Sequence, residues 1–533
     1  MEDKKFNPYL PIYFSLILVA GIVLGILIGT RNKSIFSISS RDHKLEEVLN
    51  YVEKNYVDTF SRKVLEEKAI GGLLQSLDPH SSYISADEFN ELNDPLLGNF
   101  EGIGVQFRIE SDTITVIIPV SGGPSEKIGI RAGDRIVKIN GEKVAGKKIT
   151  TAEVMKKLKG PKGSEVTVSI FRRGVKDLLD FTITRDVIPT YSMDIAYLVE
   201  PGIGYIRLNT FSATTHDEVH HALESLLADG MKKLILDLRG NGGGVMNEAI
   251  EVTDEFLPKG SLIVYTEGKQ HKKEMSEAAG NGLFEQGALV ILIDEWSASA
   301  SEILAGAIQD NDRGTIIGRR SFGKGLVQEQ LAFKDGSAVR ITVARYHTPS
   351  GRCIQRSYKD GVEMYNNEYY QRFLNGEMEH PDSIKFADSL KFRTSKGKIV
   401  YGGGGIMPDI YVPVERDSTL RYYNALINKG VIYQYAFDYT DRNRAQLNRF
   451  KNVDQFEKYF VISEVMFNDF IKYAEKKGVK RTGRNPARSD VYIKTMLKAY
   501  IGRNILDNEG FYPILNNIDP AFLKAVGTIR AES

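Results

Sequence analysis

The stretch that decides the fold is VILIDEWSASASEILAGAIQDN, residues 290–311. The apolar run VILI predicts a strand that ends at Asp294, and residues 301–309 predict an alanine-rich helix. A serine at such a junction lies at the positive end of a helix, beside backbone N–H groups that can stabilise the oxyanion of an acyl-transfer intermediate. The alternative is that these serines are helix caps, because serine is a preferred capping residue.

Strand and helix patterns alternate around this stretch, from residue 188 to about residue 414. The strand candidates are GIGYIRL, KLILDLRG, ALVILIDE, GTIIGR and SAVRITVARY, and a further helix is predicted at 216–229. Such alternation is typical of an α/β layer structure. Upstream, residues 99–185 contain short strands and glycine turns, with FEGIGVQFRI among the strands and a helix in TTAEVMKKLKG. A separate strand-rich domain is therefore expected there.

Both ends of the chain have other textures. Residues 41–97 have the apolar spacing of helices, one of them at 62–77, and LDPHSSYIS breaks the pattern. Residues 417–533 are rich in Tyr, Asn, Lys and Phe with helical periodicity. Near the N-terminus, residues 12–29 form eighteen uncharged residues, IYFSLILVAGIVLGILIG, at the lower end of the length of a membrane span. We expect a retained anchor; a cleaved signal peptide or a buried soluble helix are the alternatives.

Composition excludes some function classes. The 533 residues are 42% hydrophobic and 26% charged, with 70 basic and 69 acidic residues, so nothing favours nucleic acid as the main partner. Cys353 is the only cysteine, which excludes an intramolecular disulfide and a cysteine-based zinc site.

A nucleophilic serine needs a base. Histidines 216, 220 and 221 share one predicted helix and are expected to be solvated, while His80 and His347 are candidates in principle only. No G-x-S-x-G motif accompanies them. Lys324, in RSFGKGLVQ, is flanked by glycines and followed by apolar residues, a setting in which burial would lower its pKa and supply neutral amine.

The same segment offers a rival interpretation. GRRSFGKG, residues 318–325, fits the phosphate-loop pattern except at its last position, where Gly325 has no hydroxyl for magnesium. The following LVQEQLAF predicts a strand, whereas a phosphate loop needs a helix there.

Together these motifs resemble the carboxy-terminal processing peptidases, a serine-lysine family that includes the tail-specific proteases. The resemblance is carried by SASASEILAGAIQDNDRGTIIGRRSFGKGLVQ and by LDPHSSY, FEGIGVQF, GIRAGDRIVKING, LDLRGNGGG, DGSAVRITVARY and GGGGIMPDI, across about residues 41–414. It implies that the nucleophile is Ser299, the general base Lys324 and the third catalytic residue Gln328. It also implies an oxyanion hole made by backbone N–H groups from Ala300 and from the glycine cluster Gly242, Gly243 and Gly244.

The strand-rich domain resembles a circularly arranged PDZ domain. The resemblance implies that the loop Gly102, Ile103, Gly104 and Val105 binds a C-terminal carboxylate and that the adjoining strand pairs with the substrate tail. The domain is expected to recruit a tail and to gate the active site.

The predicted chain is thus an α/β multidomain protein: an N-terminal membrane anchor (1–40), a helical region (41–97), a PDZ domain (98–185), a ClpP/crotonase-like peptidase core (186–414) and a helical C-terminal region without an assigned role (415–533). We expect a serine endopeptidase that cleaves proteins near their C-termini, on the extracytoplasmic, periplasmic side of a membrane, without metal or cofactor. Homo-oligomer formation stays open. The alternatives are a catalytically inactive PDZ scaffold on the membrane and a nucleotide-binding protein.

Overall fold

The computed structural model describes residues 9–31, 44–415, 417–481 and 487–532. These residues belong to two compact units, Met1–Leu73 and Leu74–Ser533. Parts of three predicted regions lie outside the described residues: positions 1–8 and 32–40 of the anchor region, positions 41–43 of the N-terminal helical region, and positions 416, 482–486 and 533 of the C-terminal region.

The first unit is helical. Its elements are α1 (Leu10–Arg31), α2 (Lys44–Asn55) and the start of α3 (Arg62–Gln75). A membrane span needs about 20 predominantly apolar residues in one helix. No helix in the described part of the chain is both long enough and apolar enough to meet this requirement, so the predicted anchor at residues 12–29 is not confirmed.

The second unit begins with β1 (Ser82–Ile84) and α4 (Ala86–Leu97), and a strand-rich domain follows. Its elements are β2 (Asn99–Gly102), β3 (Val105–Glu110), β4 (Thr113–Pro119), α5 (Pro124–Lys127), β5 (Arg135–Ile139), β6 (Glu142–Lys143), α6 (Thr151–Leu158), β7 (Glu165–Phe171), β8 (Leu179–Thr184) and β9 (Asp186–Pro189). The antiparallel sheet has the order β3-β4-β5-β7-β8, with β6 on β5, while β2 pairs with β9. Isoleucines and valines from these strands and from α6 form a core of its own.

The expected single strand in FEGIGVQFRI is wrong in one respect. The chain leaves the ladder at Ile103 and Gly104, so that β2 and β3 are separate strands. Gly104 has a φ of 69°, a left-handed conformation that only glycine adopts without strain. A Cβ there would also lie 3.0 Å from Ile188 Cδ1. The glycine thus turns the chain between the two strands.

The α/β part follows as predicted. Its elements are β10 (Met193–Glu200), β11 (Ile203–Leu208), α7 (Thr215–Ala228), β12 (Lys233–Asp237), α8 (Met246–Asp254), β13 (Leu262–Glu267), β14 (Glu274–Glu277), β15 (Ala288–Ile293), α9 (Ala300–Asp310), β16 (Thr315–Gly318), β17 (Leu326–Ala332), β18 (Ala338–His347), α10 (Val362–Leu374), β19 (Lys391–Arg393), β20 (Ile399–Tyr401) and β21 (Ile410–Tyr411). The main sheet has the order β10-β11-β12-β15-β16-β21, parallel from β11 onward. Helices α7, α8 and α9 contribute to the large core on one of its faces.

A second, antiparallel sheet lies in the same unit. Its order is β1-β18-β13-β14, and β17 also pairs with β18. Ser82 lies opposite Arg340, so the segment before the strand-rich domain is hydrogen-bonded to the α/β part. Strand β18 therefore lies between β1, at the end of the LDPHSSY motif, and β17, which begins two residues after Lys324.

The C-terminal region is helical, as predicted. Its helices are α11 (Arg421–Asn428), α12 (Val431–Leu447), α13 (Val453–Tyr459), α14 (Glu464–Lys476), α15 (Ala487–Leu506), α16 (Tyr512–Leu515) and α17 (Pro520–Ala531). Most of these helices share one aromatic-rich core. Helix α17 instead packs on the main sheet: Phe522 and Ile529 join a cluster with Tyr205, Ile235 and Val290. The C-terminal helix therefore covers the second face of the sheet.

Candidate active site

Ser299 lies between β15 and α9, at the N-cap position of the helix. Its φ and ψ are 55° and −114°, a backbone conformation that a residue with a side chain rarely adopts. Two buried groups hold it: the N–H donates to Glu302 Oε2 at 2.9 Å, and the carbonyl accepts from Tyr346 Oη at 3.0 Å. Strain of this kind persists only where surrounding contacts over-determine the backbone.

Glu302 joins the nucleophile turn to the lysine loop. The carboxylate is fully buried and accepts from the N–H of Ser299 at 2.9 Å, of Lys324 at 2.8 Å and of Gly323 at 2.7 Å, and from Ser321 Oγ at 2.5 Å. Burial raises the pKa of Glu302 to about 7, against the effect of these hydrogen bonds. Sequence reasoning missed this residue, although Ser-x-x-Glu at 299–302 is the signature of a capping box.

Lys324 is half-buried, and its Nζ donates to Gln328 Oε1 at 3.0 Å. Burial lowers the pKa of the Lys324 ammonium, and the nearby positive charge of Arg340 lowers it further, while Glu302 and Asp78 oppose them. A lysine with a lowered pKa supplies more neutral amine near neutral pH, as a general base requires.

Gln328 is itself fixed by the LDPHSSY motif. Its Nε2 donates to the carbonyl oxygen of His80 at 2.7 Å. Asp78 Oδ1 accepts from the N–H groups of His80 and Ser81, each at 2.8 Å, which holds that turn in place. The motif therefore contributes a backbone carbonyl that orients the glutamine beside Lys324. Sequence inspection alone could not find this contact, since the two segments are 248 residues apart.

The rings of the candidate histidines contact groups outside the pocket that contains Ser299. His80 Nε2 is 2.7 Å from Tyr365 Oη, and burial lowers the pKa of His80 to about 4. His347 stacks on Tyr265. Neither ring lines the pocket that contains Ser299, nor do the histidines of α7.

One pocket of about 500 Å³ brings the predicted site residues together. It is lined by Ser299, Lys324, Gln328, Gly242, Gly243 and Gly244, among others. Ala300 is buried directly after the serine, as the first residue of α9. Two residues of α4, Asn93 and Leu96, close another side of the pocket.

The glycine cluster fits tightly against the nucleophile turn. A Cβ on Gly243 would lie 2.6 Å from the carbonyl oxygen of Ala298 and 2.8 Å from Ser299 Cβ, and its φ is 94°. The N–H of Gly243 donates to Asn241 Oδ1 at 2.9 Å. Among the described residues we find no hydrogen-bond acceptor for the N–H groups of Gly242, Gly244 and Ala300. These N–H groups are the ones left for an oxyanion.

Buried charges anchor the base of this glycine loop. Asp237 is the last residue of β12. Its Oδ2 accepts hydrogen bonds from Arg239 Nη2 at 2.6 Å and from Arg207 Nη1 at 2.7 Å. Although burial opposes it, these guanidinium groups hold the pKa of Asp237 below its ordinary value. Arg239 Nη1 also contacts Asp519 Oδ2 at 2.8 Å, and Asp519 caps α17. The C-terminal region thus reaches the segment that leads into the glycine loop.

A second cavity, of about 640 Å³, lies between β3 and α6; we call it the tail groove. Ile103, Gly104 and Val105 line it, whereas Gly102 pairs with Asp186 at the end of β2 and does not. The described residues offer no acceptor for the N–H groups of Ile103 and Gly104. The groove therefore has free donors at one end, as recognition of a carboxylate requires.

The glycine-lysine segment does not form a phosphate loop. The N–H groups of Gly323 and Lys324 donate to the Glu302 carboxylate, and β17, a strand, follows them. A phosphate would need those donors and a helix N-terminus. The nucleotide-binding alternative is disfavoured on both counts.

Comparison with known proteins identifies the family and its domains. Residues 202–364 match the model of peptidase family S41, residues 102–183 match the PDZ domain, and residues 422–507 match a family of unknown function. A carboxy-terminal-processing protease of Bartonella bacilliformis is 40% identical over 313 residues, 58% of this chain and 71% of the relative. A carboxyl-terminal-processing protease of Synechocystis is 34% identical over 429 residues, 76% of this chain and 97% of the relative.

Among solved structures, a photosystem II D1 C-terminal processing protease has 27% identity and a TM-score of 0.36, covering 70% of this chain and 94% of the other. The sequence matches define a serine-type peptidase that carries a PDZ domain. The chain belongs to peptidase family S41, the carboxy-terminal processing proteases. The resemblance found in the sequence is thereby confirmed.

Proposed function

We propose that Ser299 is the nucleophile and Lys324 the general base of this peptidase. The observation that carries the proposal is Glu302: one buried carboxylate binds the backbone N–H of both residues and so fixes the nucleophile turn and the lysine loop to each other. Both side chains line the same pocket. No histidine among the described residues lines that pocket, which supports the lysine as the base.

The reaction follows from these roles. The neutral Lys324 amine takes the proton of Ser299 Oγ, and the oxygen attacks the carbonyl carbon of the scissile bond. The C–N bond breaks, the ammonium returns its proton to the leaving amine, and an ester on Ser299 remains. Water, deprotonated by Lys324, hydrolyses the ester. Gln328 accepts a hydrogen bond from Nζ and keeps the lysine aligned with the serine.

The oxyanion hole is proposed to combine the N–H of Ala300 with one from the glycine loop. Ala300 opens α9, so its N–H lies at the positive end of the helix dipole. Gly243 places the loop against the nucleophile turn, and the neighbouring N–H groups of Gly242 and Gly244 have no acceptor among the described residues.

The substrate is proposed to be a protein with a loose C-terminal tail. Its carboxylate would bind the N–H groups of Ile103 and Gly104, and its last side chains would enter the apolar tail groove while the tail adds to β3. The relatives are named for carboxy-terminal processing, which supports the same class of substrate.

Three further points stay predictions. The helices on the parallel sheet support the finer assignment of the core to the ClpP/crotonase type. The uncharged run at residues 12–29 motivates membrane association and an extracytoplasmic location. Formation of a homo-oligomer is the third prediction.

Cleavage of a tailed protein tests the assignment. The full-length wild type and the Ser299→Ala variant are each incubated with a folded protein that carries an unstructured C-terminal tail. In a parallel reaction, the substrate is the same protein with its terminal carboxylate amidated. We expect cleavage by the wild type and none by the Ser299→Ala variant. Cleavage by the wild type should slow when the terminal carboxylate of the substrate is amidated. Undiminished cleavage by a folded Ser299→Ala variant would contradict the assignment of Ser299 as the nucleophile. An inactive wild type would favour the scaffold alternative.

A further inference from the structure

Two histidines of α7 share one carboxylate oxygen. His216 Nε2 lies 2.9 Å and His220 Nδ1 lies 2.6 Å from Glu255 Oε1. The three ligand atoms all lie within 4.8 Å of one another. The reaction proposed above uses none of these residues.

The backbone explains this convergence. Residues four apart on a helix lie on the same face, so both imidazoles point towards Glu255, which directly follows α8. Glu255 is only 4% exposed, and its second oxygen accepts from the N–H of Leu283 at 2.8 Å. That bond fixes the carboxylate and leaves Oε1 facing the histidines.

The donor set has the chemistry of a metal site. Two imidazole nitrogens and a carboxylate oxygen are ligands that Zn²⁺ prefers. Bonds of about 2.0–2.1 Å in a tetrahedral site place neighbouring ligand atoms about 3.3 Å apart. The two distances from Glu255 Oε1, 2.9 and 2.6 Å, would therefore widen by about 0.4 and 0.7 Å. Both imidazoles keep roughly a third of their surface exposed, which permits this adjustment and leaves a position for solvent.

Outer carboxylates complete the pattern. His216 Nδ1 lies 3.7 Å from Glu251 Oε2, and His220 Nε2 lies 3.8 Å from Glu224 Oε1. Metal-bound histidines usually direct their second nitrogen towards a carboxylate or carbonyl group, which fixes the tautomer and ring orientation.

We propose that His216, His220 and Glu255 bind a divalent transition-metal ion of the Zn²⁺ class, which clasps α7 to the C-terminal end of α8. The other end of α8 reaches the active site: Met246, its first residue, and Val245 before it line the catalytic pocket. The ion would stabilise the helix that carries this wall. It takes no part in the peptidase chemistry, so the site stands or falls independently of Ser299 and Lys324.

Metal titration of the full chain tests the proposal. Untagged, chelator-treated protein is titrated with Zn²⁺ by calorimetry and, separately, with Co²⁺ while the visible spectrum is recorded. We expect one ion per chain, a Co²⁺ spectrum typical of a four-coordinate site, and a higher unfolding temperature with Zn²⁺. His216→Ala and His220→Ala should each weaken binding at least tenfold and abolish the thermal shift.

His221→Ala is the matched control, because His221 is exposed on the same helix and its Nδ1 contacts only the carbonyl of Asp217. This variant should bind like the wild type. Circular dichroism establishes that each variant is folded before titration. Absence of saturable binding to the wild type, or equal binding by the His216→Ala and His221→Ala variants, would overturn the site.

Discussion

The catalytic pocket and the tail groove are similar in size but differ in lining. The catalytic pocket, of about 500 Å³, presents polar groups such as Lys324, Gln328 and Arg340. The tail groove, of about 640 Å³, is lined largely by apolar side chains, among them Val105 and Met155. Apolar burial supplies binding energy without direction, whereas preorganised polar groups stabilise a particular charge distribution. The two cavities are therefore suited to selection and to chemistry, respectively.

Helix α4 borders both cavities. Glu91, Asp94 and Pro95 line the tail groove, whereas Asn93 and Leu96 line the catalytic pocket. Asp94 also pairs with Lys159 of the PDZ domain at 2.8 Å. The two proposed functions, tail binding and catalysis, use different residues although both cavities border α4. Variants in the two cavities should therefore affect different kinetic constants.

The largest effect is expected at the base. Lys324→Arg keeps the positive charge, but a guanidinium cannot be deprotonated in a protein, so kcat should fall by about 10⁴-fold. Steady-state cleavage of a peptide without a recognition tail measures this. Lys334→Arg, in the exposed turn after β17, should leave kcat unchanged. An active Lys324→Arg enzyme would show that neutral lysine is not the base.

The second-largest loss of kcat is expected for a substitution in the glycine loop, residues 242–244. In Gly243→Ala the new Cβ would meet Ala298 and Ser299 backbone and side-chain atoms below 3 Å, so the loop must shift and the oxyanion loses a donor. We expect kcat to fall by about 10²–10³-fold. Gly242→Ala is the matched control, because its Cβ would meet nothing within 4 Å. Equal losses in the two variants would contradict the tight-fit account.

A groove variant should act on recognition instead. Met155→Ala removes apolar surface from α6, and kcat/KM for a tailed substrate should fall by about tenfold. Cleavage of a tail-less peptide should not change. Lys156→Ala, the exposed neighbour on the same helix, provides the control. If Met155→Ala slows the cleavage of both substrates equally, the groove does not bind the tail.

The smallest effect is a displaced pH profile. Arg340 lowers the pKa of Lys324, so Arg340→Gln should raise that pKa and leave less neutral amine at a given pH. The rising limb of kcat/KM against pH should then move to higher pH. Arg345→Gln, on the exposed part of the same strand, should leave the limb in place. A shift to lower pH would contradict the assigned direction.

The elements that carry the proposed site could be predicted from the sequence because they have strong apolar patterns, and the proposed residues lie at their ends. Ser299 falls between an apolar strand and an alanine-rich helix, and β17 follows Lys324 as LVQEQLAF indicated. The break in FEGIGVQFRI could not be predicted from alternation, since it depends on the φ of Gly104.

Contacts between distant segments account for what the sequence did not reveal. Arg239 and Asp519 are 280 residues apart, and no motif in either segment predicts their contact. The carbonyl of His80 acts through the backbone, which carries no sequence signal. Helix α17 has an ordinary apolar face, and only tertiary packing shows that this face covers the main sheet.

Covalent labelling tests the central claim most directly. A fluorophosphonate esterifies a serine only when a base activates its hydroxyl, and peptide mapping by mass spectrometry locates the adduct. We predict one adduct in the wild type, on Ser299, with its formation lost in Lys324→Ala although the serine is still present. An adduct on another serine, or undiminished labelling of Ser299 without Lys324, would contradict the serine-lysine dyad.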